Sequence, residues 1–534
     1  MKTLLVGLDG VSTDVLVPLI EDGELPNIRA VFEAGTSGPL QSQVPPWTAS
    51  AWPSAYTGVN PGKHGVFDFL TFDGYDWDVA NRSAVREYAV WELLSNRGFS
   101  SIVVNVPVTD PPRPFDGALL PGYVSADPPT THPAELLDSV REAIGGYEVY
   151  NPNSRETREG RIAGYRELTR QRGDAFVYLA DEYDPDFGFV QFQQTDTVFH
   201  EYPGDDDAVR EVFTAVDREV GKIIDHCEPE NVLIVSDHGI GEYTGYEFRV
   251  NDYLREHGYV TASRGGEGMP SWTAIAAERR GTGEQKVEAK PSPMARAMKA
   301  AARVGITSQR LGAVLSRLGL ASFVASRVPK DAIRAATEQV DFAASTAYMR
   351  SRIELGVRIN LEGREPEGVV PESEYDAVRT ALIELLSEVE TPDGEPVFEA
   401  VLTREEVFDG PYLEEVADVI VIPTDYNNHL STTLMGELFE PLENFYEHKP
   451  EGIIAASGQA IDASASLARA HLFDVTPTVL ATFGLPASDR MDGVTLPIVE
   501  DVGREPYPEF EVGARVETAD RSVEQRLADI GYLE

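Results

Sequence analysis

Three apolar runs in this sequence each end in an acid. LLVGLDG carries Asp9, FGFVQFQQTD carries Asp196, and VLIVSDHG carries Asp237 with His238 beside it. Short apolar runs of this kind read as buried strands. A side chain just past the carboxyl end of a parallel strand faces the crevice where ligands bind. The adjacent oxygen and nitrogen donors of Asp237 and His238 suit Zn²⁺ or Mn²⁺; a polar turn after a strand is the plainer reading, and the Asp-His-Gly order favours the metal. Asp196 is followed four residues later by His200, a spacing that puts both on one face of a helical turn. The alternative is a capping Asp and a surface His. Asp9, followed by Gly10, either points into the crevice or caps the next helix.

A hydroxyl joins these acids. In VPPWTASAWPSAYTGVNPGKHGVFDF a Pro-rich turn leads into Thr48 and a helix-compatible stretch. The N-terminus of a helix favours an anion. A hydroxyl there can lose its proton beside a metal ion and become a nucleophile. A plain Thr N-cap is the other reading, and Thr48 by itself does not decide between them.

The elements that must position these residues alternate. Thr3–Leu8, Ser101–Val106, Phe187–Phe192, Val232–Ser236, Val419–Ile422 and Gly452–Ala456 read as buried parallel strands. Glu87–Arg97, Asp206–His226 and Ser464–Phe483 read as helices between them. The alternation predicts a three-layer α/β/α core with a mainly parallel sheet. Residues 1–262 and 416–500 form its two parts. Strand signals at Ala347–Asn360 and a helix at Glu374–Val389 suggest a small α+β subdomain over 341–415, and 501–534 reads as an acidic tail. Residues 263–340 interrupt the pattern and read as an inserted basic helical cap. Within them Ala289–Lys330 holds no acid and eight bases: Lys290, Arg296, Lys299, Arg303, Arg310, Arg317, Arg327 and Lys330. Three uses fit that run: pairing with the protein's own acidic surface, holding an anionic substrate near the metals, or weak contact with anionic lipid. Arg suits phosphate, so substrate holding is the reading adopted.

Composition narrows the classes. The 534 residues carry 45 Lys+Arg against 89 Asp+Glu, a formal net charge of −44. That sign argues against binding a nucleic-acid backbone. Arg outnumbers Lys 37 to 8, and an acidic, Lys-poor surface suits solubility in concentrated salt; a halophilic protein is expected, with an acidic mesophilic protein the alternative. One cysteine, Cys227, allows no internal disulfide and no Cys-rich metal site. The apolar start MKTLLVGLDG is too short for a signal-peptide core, and no window reads as a membrane span. A cytoplasmic protein is expected.

Taken in order, these motifs resemble the alkaline phosphatase superfamily, and within it the type I phosphodiesterase/nucleotide pyrophosphatase branch. The matching pieces are LLVGLDG, PPWTASAW, TGVNPGKHGVFDF, TDTVFH, VSDHGIGEY, NDYLREHGYV, VRINLEGREPEG, EHKPEGIIAASG and FDVTPTVLATFGLP. They span most of 1–262 and 341–497. The resemblance implies an α/β core with two metal ions, usually zinc, above the sheet. It implies one ion held by Asp9, Thr48, Asp237 and His238, and a second held by Asp196, His200 and a C-terminal His. His448 is the best match, four residues before Gly452; His471 and His429 are the fallbacks. The chain departs from relatives in two places. Thr48-Ala49-Ser50-Ala51-Trp52 lacks the pattern a formylglycine sulfatase needs. Asp68 and Phe69 stand where nucleotide pyrophosphatases carry an Asn.

The expected function is therefore a two-metal phosphohydrolase acting on small phosphate esters, diesters above monoesters, with Thr48 as nucleophile. Zn²⁺ is the expected metal and Mn²⁺ the alternative. Lys63 and His64 either assist phosphoryl binding or serve the turn alone. A phospho-group transferase, a phosphomonoesterase of the same superfamily and a non-catalytic scaffold are the rival readings.

Overall fold

The structure, a computed structural model, describes residues 1–152, 157–264 and 338–518. The basic run 289–330, nearly all of the expected cap, and residues 519–534 of the expected tail lie outside the described residues. Among the described residues no helix is long and apolar enough to cross a membrane.

An eight-stranded sheet carries the molecule. Its strands are β1 (Thr3–Leu8), β2 (Thr36–Gln41), β3 (Ser101–Val104), β4 (Gly117–Leu120), β5 (Phe187–Phe192), β6 (Asn231–Val235), β7 (Glu451–Gly458) and β8 (Ala470–His471). They lie in the order β8-β2-β7-β6-β1-β5-β3-β4. β1 is central and pairs in parallel with both β5 and β6; β3 continues in parallel to β5 and β4. One strand runs the other way: β7 is antiparallel to both β2 and β6. The sequence places that strand among the parallel ones, because an apolar run records burial and not direction.

Side chains alternate across the sheet with period two. Leu4, Val6 and Leu8 of β1 enter one core cluster, shared with α2 (Arg158–Tyr183) and α4 (Asp206–Cys227). Leu5 enters the other, shared with α1 (Thr48–Thr57). Two helical layers thus cover both faces, as a sheet with apolar strands on both sides requires. Every residue of α1 is buried.

Two other expectations change. Val419–Ile422 belongs to a separate four-stranded sheet, where Val419–Pro423 pairs antiparallel with Gly356–Ile359 and Phe398–Thr403. Ser464–Phe483 is not one helix: only Val475–Thr482 is α-helical, after a 3-10 turn at Leu472–Asp474, because Ala470–His471 pairs with β2 as β8 and Asp474 caps that turn by accepting from the His471 amide at 2.9 Å.

Gly7 shows how tightly the α1 layer sits. A Cβ there would lie 2.5 Å from the Trp52 indole and 3.2 Å from Gln191. Gly7→Ala should cost about 1–3 kcal/mol through overpacking. It should also lower turnover, since the displaced indole is bonded to Asp9. Urea denaturation checks this, and a variant as stable as the parent would mean the indole has room to move.

Candidate active site

Three neighbouring strands deliver acids to one rim. Asp9 follows β1, Asp237 and His238 follow β6, and Asp196 lies at the start of α3 (Gln194–Glu201), which follows β5. The side chains of Asp9, Asp196, Asp237 and His238 are fully buried. Gly10 makes the crowding possible: its φ is +61°, and a Cβ would stand 2.7 Å from an Asp196 oxygen.

Asp9, Asp237 and His238 form one cluster whose donor atoms all lie within 4.8 Å of each other. Thr48 joins it. Its Oγ1 is 3.2 Å from Asp9 Oδ1 and 3.2 Å from His238 Nε2. Thr48 is the first residue of α1, with Trp47 in the N-cap position and no side-chain cap. The plain capping role is thus not what this hydroxyl does. Trp52 Nε1 and Gln191 Nε2 both donate to Asp9 Oδ2 at 2.7 Å, which leaves Oδ1 to face Thr48. Asn105 fixes Gln191 in turn, donating to its Oε1 at 2.8 Å.

The imidazoles are held in one tautomer. His238 Nδ1 donates to the Gly239 carbonyl at 2.9 Å, and His448 Nδ1 to the Pro46 carbonyl at 3.0 Å. A carbonyl can only accept, so each Nε2 carries its lone pair inward, as a metal ligand needs. Asp237 Oδ2 is buried without a hydrogen bond, 3.3 Å from His238 Nε2.

Asp196, His200 and His448 form the second cluster. His200 Nε2 is 3.2 Å from both Asp196 Oδ1 and His448 Nε2, and His448 Nε2 is 3.5 Å from Asp196 Oδ1. The two clusters touch: the His238 and His448 rings stack with centroids 3.7 Å apart. His448 reaches this rim because β7 is antiparallel. The segment that enters an antiparallel strand stands at the edge where parallel strands end. The preceding strand Phe445–Lys449 pairs with Gly239–Tyr243 and sets His448 opposite Ile240.

Electrostatics mark both clusters as candidate cation sites. Burial, with the Asp196 charge, raises Asp9 well above the usual carboxylate range. Burial and Asp9 do the same to Asp237. Burial also works against a charged His200, yet Asp196 outweighs it and lifts the imidazole to about 9. Burial opposes an ionised Asp196 too, and the His200 charge beside it overcomes that, holding the carboxyl well below the usual range. Buried carboxylates this close need compensating positive charge. Convergent oxygen and nitrogen donors of this kind fit divalent cations.

The other candidates sit elsewhere. Lys63 pairs with Asp492 at 2.5 Å. His64 is buried and bonded to Ser54 Oγ at 2.8 Å through Nε2, with Nδ1 accepting from the Val66 amide at 3.2 Å. His471 Nδ1 accepts from the Phe473 amide at 3.3 Å, and the His429 ring packs on Phe445. Asp68 accepts from the Leu70 amide and Phe69 lies in the core; neither belongs to a donor cluster. The residues that sequence reasoning missed are Trp52, Gln191, Asn105 and Glu447. Trp52, four residues after Thr48 on one helix face, was the only one with a readable spacing.

A model of the type I phosphodiesterase / nucleotide pyrophosphatase family matches residues 3–436. The chain belongs to this family. Type I phosphodiesterases are metal-dependent hydrolases of phosphate esters, and the chain is an enzyme of that class. The family match ends before His448, so that residue's place rests on geometry. Phosphonoacetate hydrolase from Sinorhizobium meliloti 1021, seen with phosphonoformate and with phosphonoacetate, is similar in structure: TM-score 0.51 at 14% identity, over 89% of this chain and 94% of that one. Murine ectonucleotide pyrophosphatase / phosphodiesterase 5 aligns with TM-score 0.48 at 13% identity, over 91% and 96%. The first likeness shows a common fold. No curated protein matches the chain.

His64 gives this phosphodiesterase a pH signature. Burial pushes its imidazole down to about 3, against about 6.5 in an unfolded chain. Between those values the unfolded chain takes a proton that the folded one refuses, so stability falls as pH drops from 6.5. At pH 5 the loss should be about 2 kcal/mol. Urea midpoints at pH 7 and pH 5 should therefore drop further in the parent than in His64→Gln, which keeps a donor for Ser54. Equal drops would remove His64 as the cause.

Proposed function

We propose that the chain is a two-metal phosphodiesterase with Thr48 as its nucleophile. Asp9, Thr48, Asp237 and His238 would hold one divalent cation, and Asp196, His200 and His448 the other. Mixed carboxylate and imidazole donors favour zinc, with manganese the alternative. The observation that carries this reading is the position of Thr48 Oγ1, within hydrogen-bond distance of Asp9 and His238 at the head of a buried helix. Bound cations would supply charge that acidifies the attacking hydroxyl and stabilises the departing oxygen.

The chain's own groups then have defined tasks. Asp9, tied by Trp52 and Gln191, keeps Thr48 Oγ1 aimed into the rim. Oγ1 forms a bond to phosphorus while the bond from phosphorus to the leaving alcohol breaks in line. The proton that Thr48 gives up ends on that alcohol. Water then attacks the phosphothreonine and returns a proton to Oγ1, releasing the phosphate monoester. The acidic, Lys-poor composition supports a salt-rich cytoplasm as the working medium.

Thr48→Ala should lower kcat on a chromogenic phosphodiester by orders of magnitude while costing only ~1 kcal/mol of stability; near-normal turnover would remove Thr48 as nucleophile. Elemental analysis after dialysis tests the ligand sets separately. His238→Ala and His448→Ala should each lose close to one metal equivalent, and His471→Ala should bind as the parent does. Two full equivalents in His448→Ala would reassign the second site.

A further inference from the structure

A cavity of about 640 Å³ opens beside the second cluster, and His200 is part of its wall. That volume suits a drug-sized organic group rather than a lone phosphate. Besides the imidazoles of His200 and His429, four rings line it: Phe199, Tyr202, Phe445 and Tyr446. Its charged wall residues are matched. Arg161 Nη1 pairs with Glu201 at 2.7 Å, and Arg352 Nη1 with Glu447 at 3.1 Å. The second pair is buried on both sides. Apart from His200, which belongs to the second cluster, and His429, the charged groups that line it among the described residues are two guanidiniums and two carboxylates, each paired with the other sign.

Direction of attack decides which part of a substrate enters. Thr48 belongs to the first cluster and His200 to the second. In-line displacement puts the attacking and departing oxygens on opposite sides of phosphorus, so the departing oxygen points toward His200 and its substituent toward the cavity. A departing pyrophosphate there would need surplus cations. The balanced, ring-lined wall offers stacking and hydrogen bonds instead.

We propose that this cavity receives the leaving group, that this group is an uncharged, ring-bearing alcohol, and that the chain accordingly prefers phosphodiesters of such alcohols to phosphoanhydrides. This rests on the phosphodiesterase reading above. The test uses the full chain loaded with zinc and two substrates that share the attacked phosphorus. Thymidine 5′-(p-nitrophenyl phosphate) presents an uncharged ring as leaving group, and thymidine triphosphate presents pyrophosphate. The ester should have the higher kcat/KM by roughly tenfold or more. Tyr446→Arg, which adds a cation to the wall, should cut that ratio about threefold or more, with circular dichroism to check folding. Parity or a preference for the triphosphate in the parent overturns the proposal, and so does an unmoved ratio in a folded Tyr446→Arg. If that variant does not fold, the parent's ratio alone decides. Hydrolysis of neither substrate overturns the phosphodiesterase reading itself, a failure told apart from the others because no ratio then exists.

Discussion

Three carboxylates, Asp9, Asp196 and Asp237, are shut away from water at the ends of adjacent strands. Like charges in such surroundings cannot all stay ionised without compensation. Without a cation, protons do this work: Asp9 and Asp237 are pushed toward the neutral form, and Asp196 keeps its charge by sharing His200's proton. Divalent cations can replace those protons, and binding them would release protons to solvent. The fold is arranged to keep this crowd together. The central place of β1 between β5 and β6 brings the three acids to one rim, and the absence of a side chain at Gly10 lets Asp196 approach Asp9.

A second layer then narrows each donor to one role. Trp52 and Gln191 occupy one oxygen of Asp9, so the other serves Thr48. Two backbone carbonyls, those of Gly239 and Pro46, fix the tautomers of His238 and His448. Glu447, beside His448, is anchored by Arg352 from the loop between two strands of the smaller sheet. The smaller sheet thus helps to build the cavity wall next to the larger sheet's donors.

Much of the rim was legible because it obeys a local rule. An acid at or shortly past the end of an apolar run stands at the rim: Asp9 follows β1 directly, Asp237 follows β6 after Ser236, and Asp196 follows β5 in the first turn of α3. The family resemblance added His448, through its place four residues before Gly452. What the sequence hid is non-local. β7 reads like its neighbours, yet its direction depends on where the chain returns from. Val419–Pro423 is as apolar as a core strand but lies in the smaller sheet. Ser464–Phe483 looks helical by pattern, while pairing with β2 claims Ala470–His471. The partners of Asp9 and Glu447 come from positions far along the chain, so their hydrogen bonds leave no periodic trace.

The antiparallel β7 also fixes an order of assembly. It lies between β2 and β6, so the early-made β2 cannot join the sheet until residues past 450 have emerged from the ribosome. Asp9, Thr48, Asp237 and His238 are all synthesised by residue 238, whereas the second cluster waits for His448. A nascent chain therefore holds one of its two donor clusters long before the other. Closing the sheet means threading a late strand between two that have stood apart, a long-range step that slows folding. The rim is complete only once residues past His448 have been made.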